Sequence, residues 1–251
     1  MFGAIVNPLL GQAGGGEKQR VSNNRIYKEE RDLFKTTPNA FLVEVLKGRR
    51  AGRALDIAMG QGRNAVWLAE QGWQVTGFDI SDVALREAQD EAARRKIRLT
   101  TILSGYEQFD FGKEKWDLIV LSYFFPRDLV PKLFESLRPG GLIMLEYYHK
   151  DSQRIRMIDG TSLPELMSLF APYRFVRYEE ATGSHDWGLT LGRDQRIVRL
   201  LAQRPEPAPV GCVWSEKPFA VGATACWTER NFLMRCDVDG WRYSKTCNPE
   251  R

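Results

Sequence analysis

The sequence predicts an α/β domain built on a mostly parallel sheet, followed by a small β-rich appendage. Between residues 53 and 147, short apolar runs alternate with longer runs of helical period, the pattern of βαβ units. The short runs are almost continuously apolar, as strands covered on both faces are. All four cysteines of the 251 residues, Cys212, Cys226, Cys236 and Cys247, fall in the last 40.

The elements follow in order. Residues 1–20 are expected to be a flexible N-terminus. The apolar start is interrupted by Asn7-Pro8 and lacks a basic region, so it departs from a secretory signal. The stretch TTPNAFLVEVL predicts a helix after Pro38. Residues 53–58 (RALDIA) read as a strand, 59–62 as a glycine-rich turn, and 63–71 as a helix stopped by Gly72. Residues 73–78 give the second strand. Ser81 suits an N-cap for a helix to about residue 95, with Val83, Ala84, Leu85, Ala88 and Ala92 on one face. Further strands are expected at 99–103, 116–121 and 142–147, the last entered through the Pro139-Gly140-Gly141 turn, with a helix at 129–137 between. A helix at 163–170 and strands at 173–178 and 196–201, joined by a glycine-rich connection over 183–192, complete seven strands. The prolines of residues 205–209 (PEPAP) close the domain, giving a main domain over 21–204 and a module over 205–251.

The formal charge is +4, but the basic residues are scattered, the densest groups being Lys47, Arg49, Arg50 and Arg94, Arg95, Lys96. Both lie beside predicted helices and read as solvated surface rather than a nucleic-acid stripe. No stretch approaches the roughly 20 apolar residues that span a bilayer.

Glycines between a strand and a helix let the backbone approach a ligand at the helix N-terminus, so residues 56–62 (DIAMGQG) form a candidate cofactor loop. The site three beyond Gly62 is Ala65, unlike the dinucleotide fingerprint, and a cofactor without a pyrophosphate would need less of that phosphate-cradling geometry. Asp79 falls at the tip of the second strand, where a carboxylate can accept from both hydroxyls of a ribose.

The segments LDIAMGQGRNAVWLAEQGWQVTGFDIS (55–81), WDLIVLSY (116–123) and LRPGGLIMLEYYHK (137–150) resemble class I S-adenosylmethionine-dependent methyltransferases. GxGRNAxxLAxxG looks most like the tellurite-resistance-type and related small-molecule branch. The resemblance spans about residues 20–203 and implies a Rossmann-like three-layer sandwich with a mostly parallel seven-stranded sheet. It implies S-adenosylmethionine as cofactor, with Asp56 orienting the amino end, Gly60 and Gly62 under the methionine and ribose, Asp79 on the ribose and Ile80 on the adenine. Ala58, Asn64 and Leu121 belong to the same implied site. Ala58 stands where the family commonly has glycine. The acidic residue often found after strand three aligns with Gly105 or Tyr106, so one of these must serve the adenine instead.

Methyl transfer from a sulfonium is an in-line displacement, which needs alignment and exclusion of water more than a general base. The acceptor should lie at the C-terminal ends of strands four and five, near Ser122, Tyr123, Phe124, Phe125 and Glu146, Tyr147, Tyr148, His149. Tyr123 and His149 are the catalytic candidates, with His185 as the other histidine; each could equally be structural. The aromatic residues could form an apolar acceptor pocket or pack the core. No clear carboxylate set suggests a magnesium site, although Glu146 and Asp151 leave that alternative open. The expected function is methyl transfer to an oxygen, sulfur or nitrogen of a small molecule in the cytoplasm. The alternatives are methylation of RNA or another macromolecule, or a cofactor fold used only for binding.

The cysteines are separated by 13, 9 and 10 residues without a CxxC pair, which argues against structural zinc. Two disulfides in an oxidising compartment, with export as the corresponding location, or buried thiols in a reducing one both remain open. Asp239-Gly240 between strand-like runs suggests antiparallel β structure.

Overall fold

The computed structural model describes residues 16–30, 34–152, 159–183, 195–206, 211–214, 217–220, 224–227, 232–237 and 240–246. The chain divides into two compact units, Met1–Pro205 and Glu206–Arg251, within a residue of the boundary expected at the proline-rich segment.

The first unit runs α1 (Gly16–Glu29), α2 (Ala40–Leu46), β1 (Arg53–Ile57), α3 (Arg63–Glu70), β2 (Gln74–Asp79), α4 (Asp82–Arg95), β3 (Thr100–Leu103) and β4 (Trp116–Ser122). It continues through a 3-10 turn into α5 (Val130–Ser136), β5 (Leu137–Tyr148), α6 (Leu163–Leu169), β6 (Arg174–Gly183) and β7 (Gln195–Gln203). The sheet order is β3-β2-β1-β4-β5-β7-β6. All pairings are parallel except those of β7, which runs antiparallel to both β5 and β6. This is the expected mostly parallel, seven-stranded three-layer sandwich.

Strand periodicity explains the three layers. Along β4, Leu118 and Val120 pack with Phe41, Leu68, Leu85 and Ala88 from α2, α3 and α4, whereas Ile119 and Leu121 pack with Leu133 of α5 and Leu166 of α6. Successive side chains face opposite ways, so an uninterrupted apolar run serves two cores at once. Helix starts are set by side-chain caps. Ser81 Oγ accepts from the amide of Ala84 at 3.1 Å, and Asn39 Oδ1 accepts from that of Leu42 at 3.0 Å.

Two elements differ from expectation. Residues 16–20, assigned to a flexible N-terminus, are the first part of α1, a polar helix that buries only Asn23, Ile26 and Tyr27. Its weak apolar stripe left little signal in the sequence. The Pro139-Gly140-Gly141 segment is absorbed into β5, whose register against β4 slips between Trp116 and Leu118. The glycine-rich connection after β6 lies mostly outside the described residues.

In the second unit, β8 (Gly211–Trp214) pairs antiparallel with β9 (Lys217–Ala220). β10 (Thr224–Trp227), β11 (Phe232–Asp237) and β12 (Gly240–Thr246) form an antiparallel sheet with β11 in the middle. Cys236 on β11 is buried and disulfide-bonded, which is the oxidised alternative for that position. No helix among the described residues is long and apolar enough to cross a membrane.

Candidate active site

The sheet reverses its winding between β1 and β4, and ligands of open α/β sheets sit outside the carboxyl ends of the strands at such a point. A cavity of about 650 Å³ lies there, within the size range of small-molecule sites. Its floor is the turn between β1 and α3, and α1 contributes Gln19, Arg20, Asn23 and Tyr27 to its lining.

The turn is wound by left-handed residues: Ala58 at φ 52°, Gly60 at φ 53° and Gly62 at φ 78°. At Gly60 an added Cβ would come within 2.8 Å of Tyr27 Oη, so only glycine admits the tyrosine. The Gly60 amide donates to Asp79 Oδ2 at 2.9 Å, and the Ser81 amide donates to Asp79 Oδ1 at 2.8 Å. Asp79 is thus clamped at the end of β2 by backbone donors while its carboxylate keeps acceptor capacity. Burial raises its pKa, and the amides of Ser81, Gly60 and Ile80 pull it back.

Asp56 sits nearby, at the end of β1. It is only 2 % exposed, and its Oδ2 has no hydrogen-bond partner. Burial pushes its carboxyl up to about 7, against the opposing pull of the Arg63 charge and the Ala65 amide. A buried carboxyl oxygen without a donor, facing a cavity, fits a ligand that brings a cation.

The β4 side is built differently. Ser122, Tyr123 and Phe124 line the cavity, and Tyr123 takes φ 59°, a genuine outlier for a bulky residue. Its hydroxyl donates to Glu146 Oε1 at 2.6 Å. Glu146 is fully buried and also accepts from Asn39 Nδ2 and from Arg199 Nε, both at 2.7 Å. The Asn39 amide in turn donates to Asn64 Oδ1 at 2.8 Å.

Of the predicted residues, Asp56, Ala58, Gly60, Asn64, Asp79, Ile80, Gly105, Tyr106 and Tyr123 line this one cavity. Three do not. Gly62 faces α4, where a Cβ would meet that of Ala88 at 2.9 Å, so it is needed for helix packing. Leu121 is buried in the core under β4, because its side chain falls on the α5 and α6 face. His149 is buried beyond the end of β5, its Nδ1 accepting from the Asp151 amide and its Nε2 lying 3.7 Å from Glu180. His149 thus stands outside the cavity lining, with Nδ1 hydrogen-bonded to the chain. His185 lies outside the described residues.

Sequence reasoning missed Arg63 and Asn39. Arg63 opens α3, lines the cavity and donates to the Thr37 carbonyl at 3.0 Å. Its position one residue past Gly62 was the available signal. Asn39 carried a cap signal but none for its contact with Glu146, 107 residues away.

This strand order is that of a Rossmann-like methyltransferase fold, and residues 54–141 match a family model described as "Methyltransferase domain". Hemagglutinin 1 of Eikenella corrodens is 25 % identical over 195 residues, covering 68 % of this chain and 60 % of that protein. Ribosomal RNA small subunit methyltransferase G of Burkholderia cenocepacia is 31 % identical over 139 residues, covering 52 % and 61 %. Among solved structures, the Burkholderia thailandensis 1,6-didemethyltoxoflavin-N1-methyltransferase superposes with a TM-score of 0.58 at 19 % identity, covering 78 % of this chain and 92 % of that one. It contains 1,6-didemethyltoxoflavin and S-adenosylhomocysteine. The chain spans about three fifths of the length of the first two relatives.

Proposed function

We propose that the first unit transfers the methyl group of S-adenosylmethionine to an oxygen, sulfur or nitrogen atom of a small-molecule acceptor. The observation that carries this reading is the pair of buried carboxylates, Asp56 and Asp79, on one cavity, one with an unpartnered oxygen and one held by backbone amides. Asp79 accepts the ribose hydroxyls, and Asp56 accepts the α-ammonium. Arg63, whose charge already acts on Asp56, is placed for the carboxylate of the same amino-acid moiety. When bound, the cofactor supplies a methyl group on a sulfonium, which is open to in-line displacement. The protein contributes alignment and exclusion of water, with Tyr27 and Phe34 over the cavity, their rings 5.0 Å apart. Tyr123 belongs to the acceptor side.

Similarity to ribosomal RNA methyltransferases gives methylation of RNA as the second reading. A cavity roofed by α1 and walled by aromatic rings favours a small acceptor over a polymer. The disulfide at Cys236 supports an oxidising location for this chain over the cytoplasm.

Calorimetric titration of the full chain with S-adenosylmethionine and with S-adenosylhomocysteine tests the function. Micromolar binding of both is expected; no binding to folded protein overturns the reading.

A further inference from the structure

We propose that the β4 end of the cavity is a subsite for a planar aromatic or heteroaromatic acceptor, and that Glu146 is the positioning residue that holds its wall. This rests on the methyl-transfer reading, because it assigns the second substrate of the same site.

The wall is made of rings. Tyr123 and Phe124 follow β4, Tyr106 follows β3, and Phe34 lines the same cavity. Tyr106 and Phe124 meet edge to face, with centroids 5.7 Å apart at 66°. Such a pair presents both a ring face and a ring edge, and a flat ligand can extend it by offset stacking, which a puckered ring cannot. Ser122 and Arg63 line the cavity beside these rings and can orient a polar edge of the ligand, while its face is left to ring contact.

Tyr123 does not rest in this place by default. A left-handed backbone is unfavourable for a bulky residue and persists only where the surroundings impose it. The surroundings here include the Tyr148 ring, 5.2 Å away, the Glu146 carbonyl, which accepts from the Tyr123 amide at 2.8 Å, and the Glu146 carboxylate, which receives the Tyr123 hydroxyl on the same oxygen that receives Asn39. Its neighbours on β5, Met144 and Leu145, are apolar core residues, so core packing alone does not call for a carboxylate at this position. Arg199 holds the other oxygen and balances the charge. Through Asn39, the same group ties the start of α2 to cavity-lining Asn64. One buried carboxylate therefore holds the Tyr123 ring of the wall and the start of α2 together.

The test is calorimetric titration of the full chain, saturated with S-adenosylhomocysteine, with 2-naphthol and with its saturated analogue decahydro-2-naphthol. The wild-type chain is expected to bind the flat probe about ten-fold more tightly, the scale of one favourable ring contact. In Glu146→Gln and in Tyr123→Phe the preference is expected to fall to about two-fold or less, with S-adenosylhomocysteine affinity changed less than about three-fold. Tyr123→Phe removes only the hydroxyl and decides the matter if Glu146→Gln does not fold. Equal affinity for the two probes, or failure to bind either, in a chain that binds S-adenosylhomocysteine overturns the subsite. Variants that keep the ten-fold preference overturn the role of Glu146. A wild-type chain that does not bind S-adenosylhomocysteine removes the methyl-transfer reading beneath both.

Discussion

The two ends of the cavity are held by different means. At the end formed by β1, β2 and the turn between β1 and α3, the key carboxylate is fixed by backbone amides from residues 2 and 19 positions away. At the β4 end, Glu146 joins side chains 23, 53 and 107 positions distant. The first end depends on local chain geometry and survives many substitutions around it. The second is a network in which every member needs the others, because a buried polar group left without partners is costly.

The largest effect expected from this contrast is on stability. Arg199→Leu leaves the fully buried Glu146 without its cation, and since the Arg199 side chain is itself 24 % exposed, a loss of about 2–3 kcal/mol is expected from denaturant midpoints. A loss well below 1 kcal/mol means that the β4 end is not an interdependent network.

Asp79→Ala addresses the other end. It is expected to raise the dissociation constant for S-adenosylhomocysteine about 100-fold, the scale of two hydrogen bonds to a charged group, with the helical signal in circular dichroism retained. Unchanged affinity in a folded variant removes Asp79 from the site.

Asp56 gives a pH test. Its carboxyl is raised to about 7 in the folded chain, whereas it ionises near 3.8 when unfolded. The native state therefore holds the extra proton between those values, and the ligand-free protein should lose stability as pH rises from about 4 to 7 and level off above. A cationic ligand favours the ionised form. Binding should release up to one proton at about pH 6, with affinity rising about ten-fold per pH unit below 7, and Asp56→Asn should abolish both effects. Calorimetry in buffers of different ionisation enthalpy measures the release.

The smallest effect is expected at Ala58. With φ at 52° it occupies a conformation that costs most residues about 1–2 kcal/mol, against which glycine loses more entropy on folding. Ala58→Gly should change stability by less than about 1 kcal/mol, in the stabilising direction, without loss of cofactor affinity.

The same contrast explains what the sequence made legible. The β1–α3–β2 end could be read residue by residue, because strand, glycines, acid and cap follow one another within residues 53–81 and each has a local physical reason. At Gly62 glycine spacing alone does not distinguish approach to a ligand from approach to the helix of Ala88, which the structure shows. The facing of Leu121 depends on strand phase, which only the packing of α5 and α6 fixes. The β4 end was visible as a group of aromatic residues, but no local pattern joins Asn39, Tyr123, Glu146 and Arg199. Helix α1 escaped notice because a polar helix held by a few contacts, such as Asn24 Nδ2 to Asp82 at 2.7 Å, shows little periodicity.

The partition of cysteine between the units has a practical side. No sulfhydryl chemistry is possible anywhere before residue 212, since every cysteine lies at or beyond that position. A reductant followed by a maleimide will mark the appendage and leave the first unit untouched. A dye, spin label or crosslinker can thus be carried on the appendage alone to report what it touches, without introducing a single new residue.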